Sequence, residues 1–187
     1  MKWKAKYILI ASVFYNLAAG LFGPLYAIFV ENIGGNILTA GWAWALYTIT
    51  MGVTLYFMGK LEDKVKKDEI FVVLGFGLIS LGMLGYLFIE QPMHLFIVQA
   101  LLGFGWAFGT PAFDSLYSKN LDKKKVASEW GAYESSVRIV EGIAAFLGAI
   151  IASAFGFRAL FTVMFILSLI ALFIIFNLLN LKKVKLP

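Results

Sequence analysis

The 187 residues include no cysteine, so neither a disulfide framework nor a thiolate metal site is available. Histidine occurs once, at His94, which reads as an interfacial residue rather than a catalyst. The HExxH, GxSxG and GKS or GKT patterns are missing, so an enzyme is not expected and no cofactor or metal is implied. Charge is scarce as well. Only 14% of residues are charged, where an ordinary globular composition carries roughly a quarter. With 61% hydrophobic residues, a soluble domain of this length could not hide its apolar side chains. No short apolar segment with a small-residue cleavage site opens the chain, so the first apolar run is expected to be retained.

What is present is a pattern of basic patches between long apolar runs. The formal charge is +5, and fourteen of the sixteen cations fall in four patches. These are Lys2, Lys4 and Lys6; Lys60, Lys64, Lys66 and Lys67; Lys119, Lys123, Lys124 and Lys125; and Lys182, Lys183 and Lys185. They form no continuous stripe, which argues against nucleic acid. They suit anchoring against anionic lipid. A helix needs about 20 apolar residues to cross the hydrocarbon. The apolar runs predict an all-α membrane protein with six transmembrane helices near 7–30, 37–58, 70–89, 93–116, 128–153 and 159–180. They form a single domain over 1–187. Between successive patches the chain can cross a bilayer out and back. Basic loops stay inside, so both termini are expected in the cytoplasm of a multi-pass cell (plasma or inner) membrane protein. Strands are not expected, because the runs lack the period-two alternation of a closed barrel.

The spans differ in character. Those at 70–89 and 159–180 are almost wholly aliphatic or aromatic and are expected to face lipid. The other four carry polar residues at helical spacing and are expected to face inward. Ser12, Asn16, Gly20 and Gly23 share one face of the first span. Gln99, Gly103, Trp106, Thr110 and Asp114 share one face of the fourth. A weak internal repeat is also visible. Leu21-Phe22-Gly23-Pro24 recurs as Ala107-Phe108-Gly109-Thr110-Pro111, and the Gly41–Tyr47 segment recurs loosely around Trp130. Three spans per unit is odd, so the units are two inverted three-helix repeats, an arrangement found in transporters. Chance similarity between apolar segments is the alternative.

Glu134, Arg138 and Glu141 are the sharpest chemical signal. Spacings of four and three place them on one helical face. Counting from Ser128 at about 1.5 Å per residue, Arg138 lies roughly 15 Å deep. An unpaired charge there costs a few kcal/mol or more, so the group must meet a partner or a wet cavity. One reading is a binding and coupling site in which protonation of a carboxylate is exchanged against substrate. The other is a structural ion pair that fixes helix packing. Asn16, Gln99, Tyr47 and Trp106 are candidates for the same cavity; Asn16 and Gln99 equally suit hydrogen bonds between helices. Ala144, Gly148, Ala152 and Gly156 read as a packing stripe.

The segment Gly59-Lys60-Leu61-Glu62-Asp63-Lys64-Val65-Lys66-Lys67 resembles the signature loop of the major facilitator superfamily. Gly59, Asp63, Lys64 and Lys67 match that loop; Lys66 and Asp68 depart from it. Asp114 matches the acidic residue that the loop's cation often contacts, and Gly156-Phe157-Arg158-Ala159-Leu160-Phe161 is similar to the family's entry to its sixth helix. Gly142 and Gly148 match the family's glycine-rich fifth helix. The arginine often found within the fourth helix is absent, with Gln99 near its place. Family members usually have twelve helices, so the resemblance implies a single half-fold. The loop reads as a charged latch between Lys64 or Lys67 and Asp114, or else as a solvated positive-inside loop.

The expectation is a secondary transporter of a small molecule, working by alternating access. A coupling ion, with a proton favoured, and an antiport mechanism are expected. Two copies would build a homodimer of halves. A separate partner half, or a non-transporting membrane scaffold, is the alternative.

Overall fold

The computed structural model describes residues 3–180, with side chains from 4 to 177. Lys2 and the patch of Lys182, Lys183 and Lys185 lie outside the described residues. The elements are α1 (Trp3–Gly20), a 3-10 turn (Gly23–Leu25), α2 (Tyr26–Asn32), α3 (Ile37–Val65), α4 (Asp68–Gly85), a 3-10 turn (Tyr86–Phe88), α5 (Pro92–Lys119) and α6 (Val126–Asn180). No strand occurs among the described residues.

Three boundaries differ from the sequence reading. The span expected at 7–30 is interrupted at Gly23-Pro24, where a 3-10 turn separates α1 from α2. Proline lacks the amide hydrogen that a continuous helix needs. Its repeat counterpart, Pro111, sits inside α5 without a break. The helix expected to stop near 58 runs on to Val65. Lysine, leucine and glutamate there favour helix, and Lys66 ends it in the left-handed region, donating its N–H to the Glu62 carbonyl. Gly59 therefore does not release the chain from a helix, and a Cβ there would meet nothing within 4 Å. Finally, α6 carries its only non-helical residue at Gly156, with φ 79°. Glycine adopts that φ without steric cost, and the two arms, 126–155 and 157–180, fold back on each other there.

Contacts fix the helix directions. On α1, Ser12 meets Tyr133, and Gly20 lies beside Ala144 of the first α6 arm. These two segments run parallel. The second arm returns, bringing Ala171 and Ile175 into one cluster with Ala5, Ile8 and Ala11. Helices α4 and α5 run antiparallel. Gly75 faces Gly109, and a Cβ on Gly75 would lie 2.7 Å from the Gly109 Cα. Gly103 of α5 packs on the Tyr47 carbonyl of α3, and these two helices are parallel. Lys60, Lys64, Lys66, Lys67 and Lys119 consequently gather at one end. At the far end, Phe161 meets Phe29 at 4.8 Å, Tyr86 at 5.0 Å and Phe22 at 5.1 Å between ring centroids.

Among the described residues, four segments are long and apolar enough to cross a membrane: Lys4–Asn32, Asp68–Phe88, Pro92–Lys119 and Val126–Asn177. The 52 residues of the last suffice for two crossings. With 29 residues α3 has the length, but its tryptophans, tyrosines, threonines and glycines make it less apolar.

Candidate functional site

Two cavities lie inside the bundle, and Tyr15 and Trp106 line both. The smaller, about 90 Å³, adds Ser12, Asn16, Asp114 and Tyr133. Asn16 Nδ2 donates to the Ser12 carbonyl at 2.8 Å and lies 3.1 Å from Ser12 Oγ. Ser12 Oγ is 3.0 Å from the Tyr133 hydroxyl. The four-residue spacing of Ser12 and Asn16 puts both on the α1 face that packs against α6. The larger cavity, about 210 Å³, adds Tyr26, Trp44, Tyr47, Tyr86 and Gln99. Gln99 is only 3% exposed. Its amide donates to the Tyr26 hydroxyl at 2.9 Å and accepts from Tyr86 at 3.4 Å. It thus lines a cavity, though not one that the triad lines, and also bridges separate elements.

Arg138 donates to Glu141 at 2.7 Å and to Glu134 at 3.4 Å. The triad lines neither cavity. Its side chains are 69% (Arg138), 53% (Glu134) and 36% (Glu141) exposed. Arg138 lies midway between Tyr133, packed at the lysine-rich end, and Ala144, buried in the far-end cluster. Ile139, Ile143 and Phe146 are exposed beside it. Among the described residues, no other helix covers these side chains. A comparable face on α3 exposes Trp42, Ile49, Val53 and Phe57.

At the lysine-rich end a cavity of about 350 Å³ opens between α3, α4 and α5. Gly59, Asp63 and Glu62 line it from α3, all three on the helix rather than in a loop. Lys64 and Lys67 are exposed, and neither pairs with Asp114. The ion pair here joins Lys119 to Asp68 at 2.6 Å, and Ser115 donates to the same carboxylate at 2.9 Å. The extension of α3 carries its lysines past Asp114, which lines the small interior cavity instead. Glu62, beyond the 37–58 span, is buried. Burial, with Asp68 and Asp63 alongside, pushes its carboxyl up to about 7.

The structure thus brings Asn16, Trp106 and Asp114 to one cavity and Tyr47, Gln99 and Trp106 to the other. It leaves Glu134, Arg138 and Glu141 on an open flank. Sequence reasoning missed Tyr15, Tyr26, Tyr86, Glu62 and Lys119. A tyrosine inside an apolar run is itself a signal, because its hydroxyl seeks a partner when buried. Of the segment 70–89, expected to face lipid, Leu74 and Leu81 are exposed, but Gly75, Phe76 and Ile79 line the small cavity. Small residues on that face let α4 press against α5.

A family model described as Major Facilitator Superfamily matches residues 8–186. Among similar proteins is an uncharacterized MFS-type transporter of Methanocaldococcus jannaschii, 26% identical over 142 residues, covering 76% of this chain and 36% of that protein. The Multidrug resistance protein MdtG of Yersinia enterocolitica is 26% identical over 161 residues, covering 83% of this chain and 38% of its own. The protein of the same name from Escherichia coli is 25% identical over 162 residues, with 83% and 39% covered. The chain therefore spans less than two fifths of the length of these relatives.

Proposed function

The chain belongs to the major facilitator superfamily, a multi-pass membrane transporter family, and from there we propose that it forms one wall of an alternating-access carrier for a small molecule. The observation that carries this reading is Arg138, held between Glu141 and Glu134 at mid-span on a face that no helix covers among the described residues. A charged group in contact with acyl chains is costly, so this face lines a wet vestibule closed by a second six-helix unit. The triad carries net −1. A carboxylate that shares Arg138 with a proton in one state and with solute in another couples the two. Asn16, Tyr47, Gln99 and Trp106 line the inner reaches of the same path.

Six spans, with the lysine-rich end in the cytoplasm of a cell or inner membrane, satisfy the positive-inside rule. The parallel pairing of α1 with the first α6 arm is matched by that of α3 with α5. This supports two inverted triplets. The second unit is a second copy of the chain, with α3 of one packed on the first α6 arm of the other. The rivals are a separately encoded half and a further part of one longer protein. Gly59, Asp63, Lys64 and Lys67 belong to the gating end, and Asp114 lines the small cavity inward of it.

The test begins with a thermal-shift screen of solutes at two pH values, drug-like ones first given the multidrug resistance proteins among the relatives. Vesicle flux of any solute found is then measured. Glu134→Gln and Arg138→Ala are expected to abolish flux while assembly persists. Unchanged flux removes the triad from the path. Paired cysteines on α3 and the first α6 arm are expected to crosslink two copies; a strictly monomeric chain in lipid ends the homodimer.

A further inference from the structure

The cavity at the lysine-rich end holds a carboxylate with no partner. Glu62 is 8% exposed, and its Oε1 is buried without a hydrogen bond. The other charged groups facing the cavity are Asp63 and Lys66 from α3, Asp68 at the start of α4, and Lys119 from α5. None of the residues lining it comes from α1 or α6. Lys119 is committed to Asp68 at 2.6 Å, with Ser115 on the same oxygen. The α4 neighbour Glu69 reaches Lys4 of α1 at 3.9 Å. No ion pair joins Glu62 to a cation, and no acid cluster suited to a metal occurs among the described residues.

Ionising a carboxyl whose Oε1 is buried without a partner is costly. Two remedies exist. The cavity opens and water reaches Glu62, or Glu62 takes up a proton and the charge disappears. The geometry points to Glu62 as a proton-binding site whose occupancy holds the lysine-rich ends of α3, α4 and α5 together. The ligand is a proton. The site is separate from the Glu134–Arg138–Glu141 triad, and it stands whether or not the chain moves a solute.

The sign follows from the direction of the shift. Burial and the two neighbouring carboxylates push Glu62 up from 4.5 to about 7 in the packed arrangement. The packed ends therefore bind the proton more tightly than opened ends do. Their advantage is complete below 4.5 and is lost as pH rises through about 7. Between about pH 5 and about pH 8 the ratio of packed to opened ends falls on the order of 50- to 100-fold.

Two measurements on the whole chain in lipid vesicles test this. Infrared difference spectra are expected to show the carbonyl band of a protonated carboxylic acid titrating near 7, and Glu62→Gln removes it. The natural absence of cysteine permits spin labels at Val65→Cys and Ser118→Cys alone. Their separation is expected to grow as pH rises, and Glu62→Gln holds it short throughout. The proposal is overturned if the band survives Glu62→Gln, if the separation stays fixed while the band titrates, or if both chains titrate alike. Should Glu62→Gln fail to insert, Asp63→Asn takes its place. Removing that neighbouring charge lowers the midpoint of both signals, and an unmoved midpoint overturns the proposal.

Discussion

Both ends of the bundle hold a buried apolar cluster, and they differ in what is added to it. At the far end, Phe22, Phe29, Tyr86 and Phe161 interlock from four separate segments, mostly edge to face. All four are nearly inaccessible. Helices in a membrane gain little from the hydrophobic effect, so shape fit of this kind is what binds them. At the lysine-rich end the contacts between helices include a lysine–aspartate pair, a serine hydroxyl and an unpartnered glutamate around a cavity. Rings that interdigitate have one good arrangement, whereas charges near water have several. In the carrier proposed above, the far end would be the fixed fulcrum and the lysine-rich end the adjustable one.

The strongest attempt to break that contrast is Phe22→Ala. It deletes the ring that touches Tyr26, Phe29, Tyr86, Phe157 and Phe161, and it is expected to cost about 3–5 kcal/mol. Thermal unfolding in a lipid-like detergent reads the loss; a cost under about 1 kcal/mol would remove the fulcrum. Gly148→Ala comes next, since a Cβ there runs into the Leu21 backbone and wedges α1 off α6. The expected cost is about 1–3 kcal/mol, again from thermal unfolding. Lys119→Ala is the smallest. The lysine side chain is 64% exposed, and screening leaves such a pair worth under about 1 kcal/mol. Hydrogen exchange should quicken at the end of α5 and the start of α4 while the far end stays protected; equal loosening at both ends would erase the difference between them.

Much of the architecture was legible because apolar runs and lysines obey one-dimensional rules. The fold-back at Gly156 and the common face of Glu134, Arg138 and Glu141 follow from spacing alone. The break at Gly23-Pro24 was not legible, because Pro111 in a similar setting leaves its helix intact. Nor was the latch. Which lysine meets which carboxylate depends on how far α3 extends before Lys66, and that depends on tertiary contacts. Glu62 reads as one more charge in a basic segment. Its burial becomes visible only when α5 supplies the opposite wall with Ser115 and Lys119. Tyr26, Tyr86 and Gln99 belong to three elements, and no periodicity within one helix announces their meeting.

At the crossing of α4 and α5 there are only hydrogens between two backbones, Gly75 against Gly109, with Gly105 seated on Leu78 and Gly82 under Leu102. Slippage there would require one backbone to climb over the other, so the two helices are held in register. Trp106 lines both inner hollows at the midpoint of α5, and Lys119 sits at the helix tip. In the proposed carrier, a push delivered at the indole would reach the membrane edge through the half of α5 that follows it.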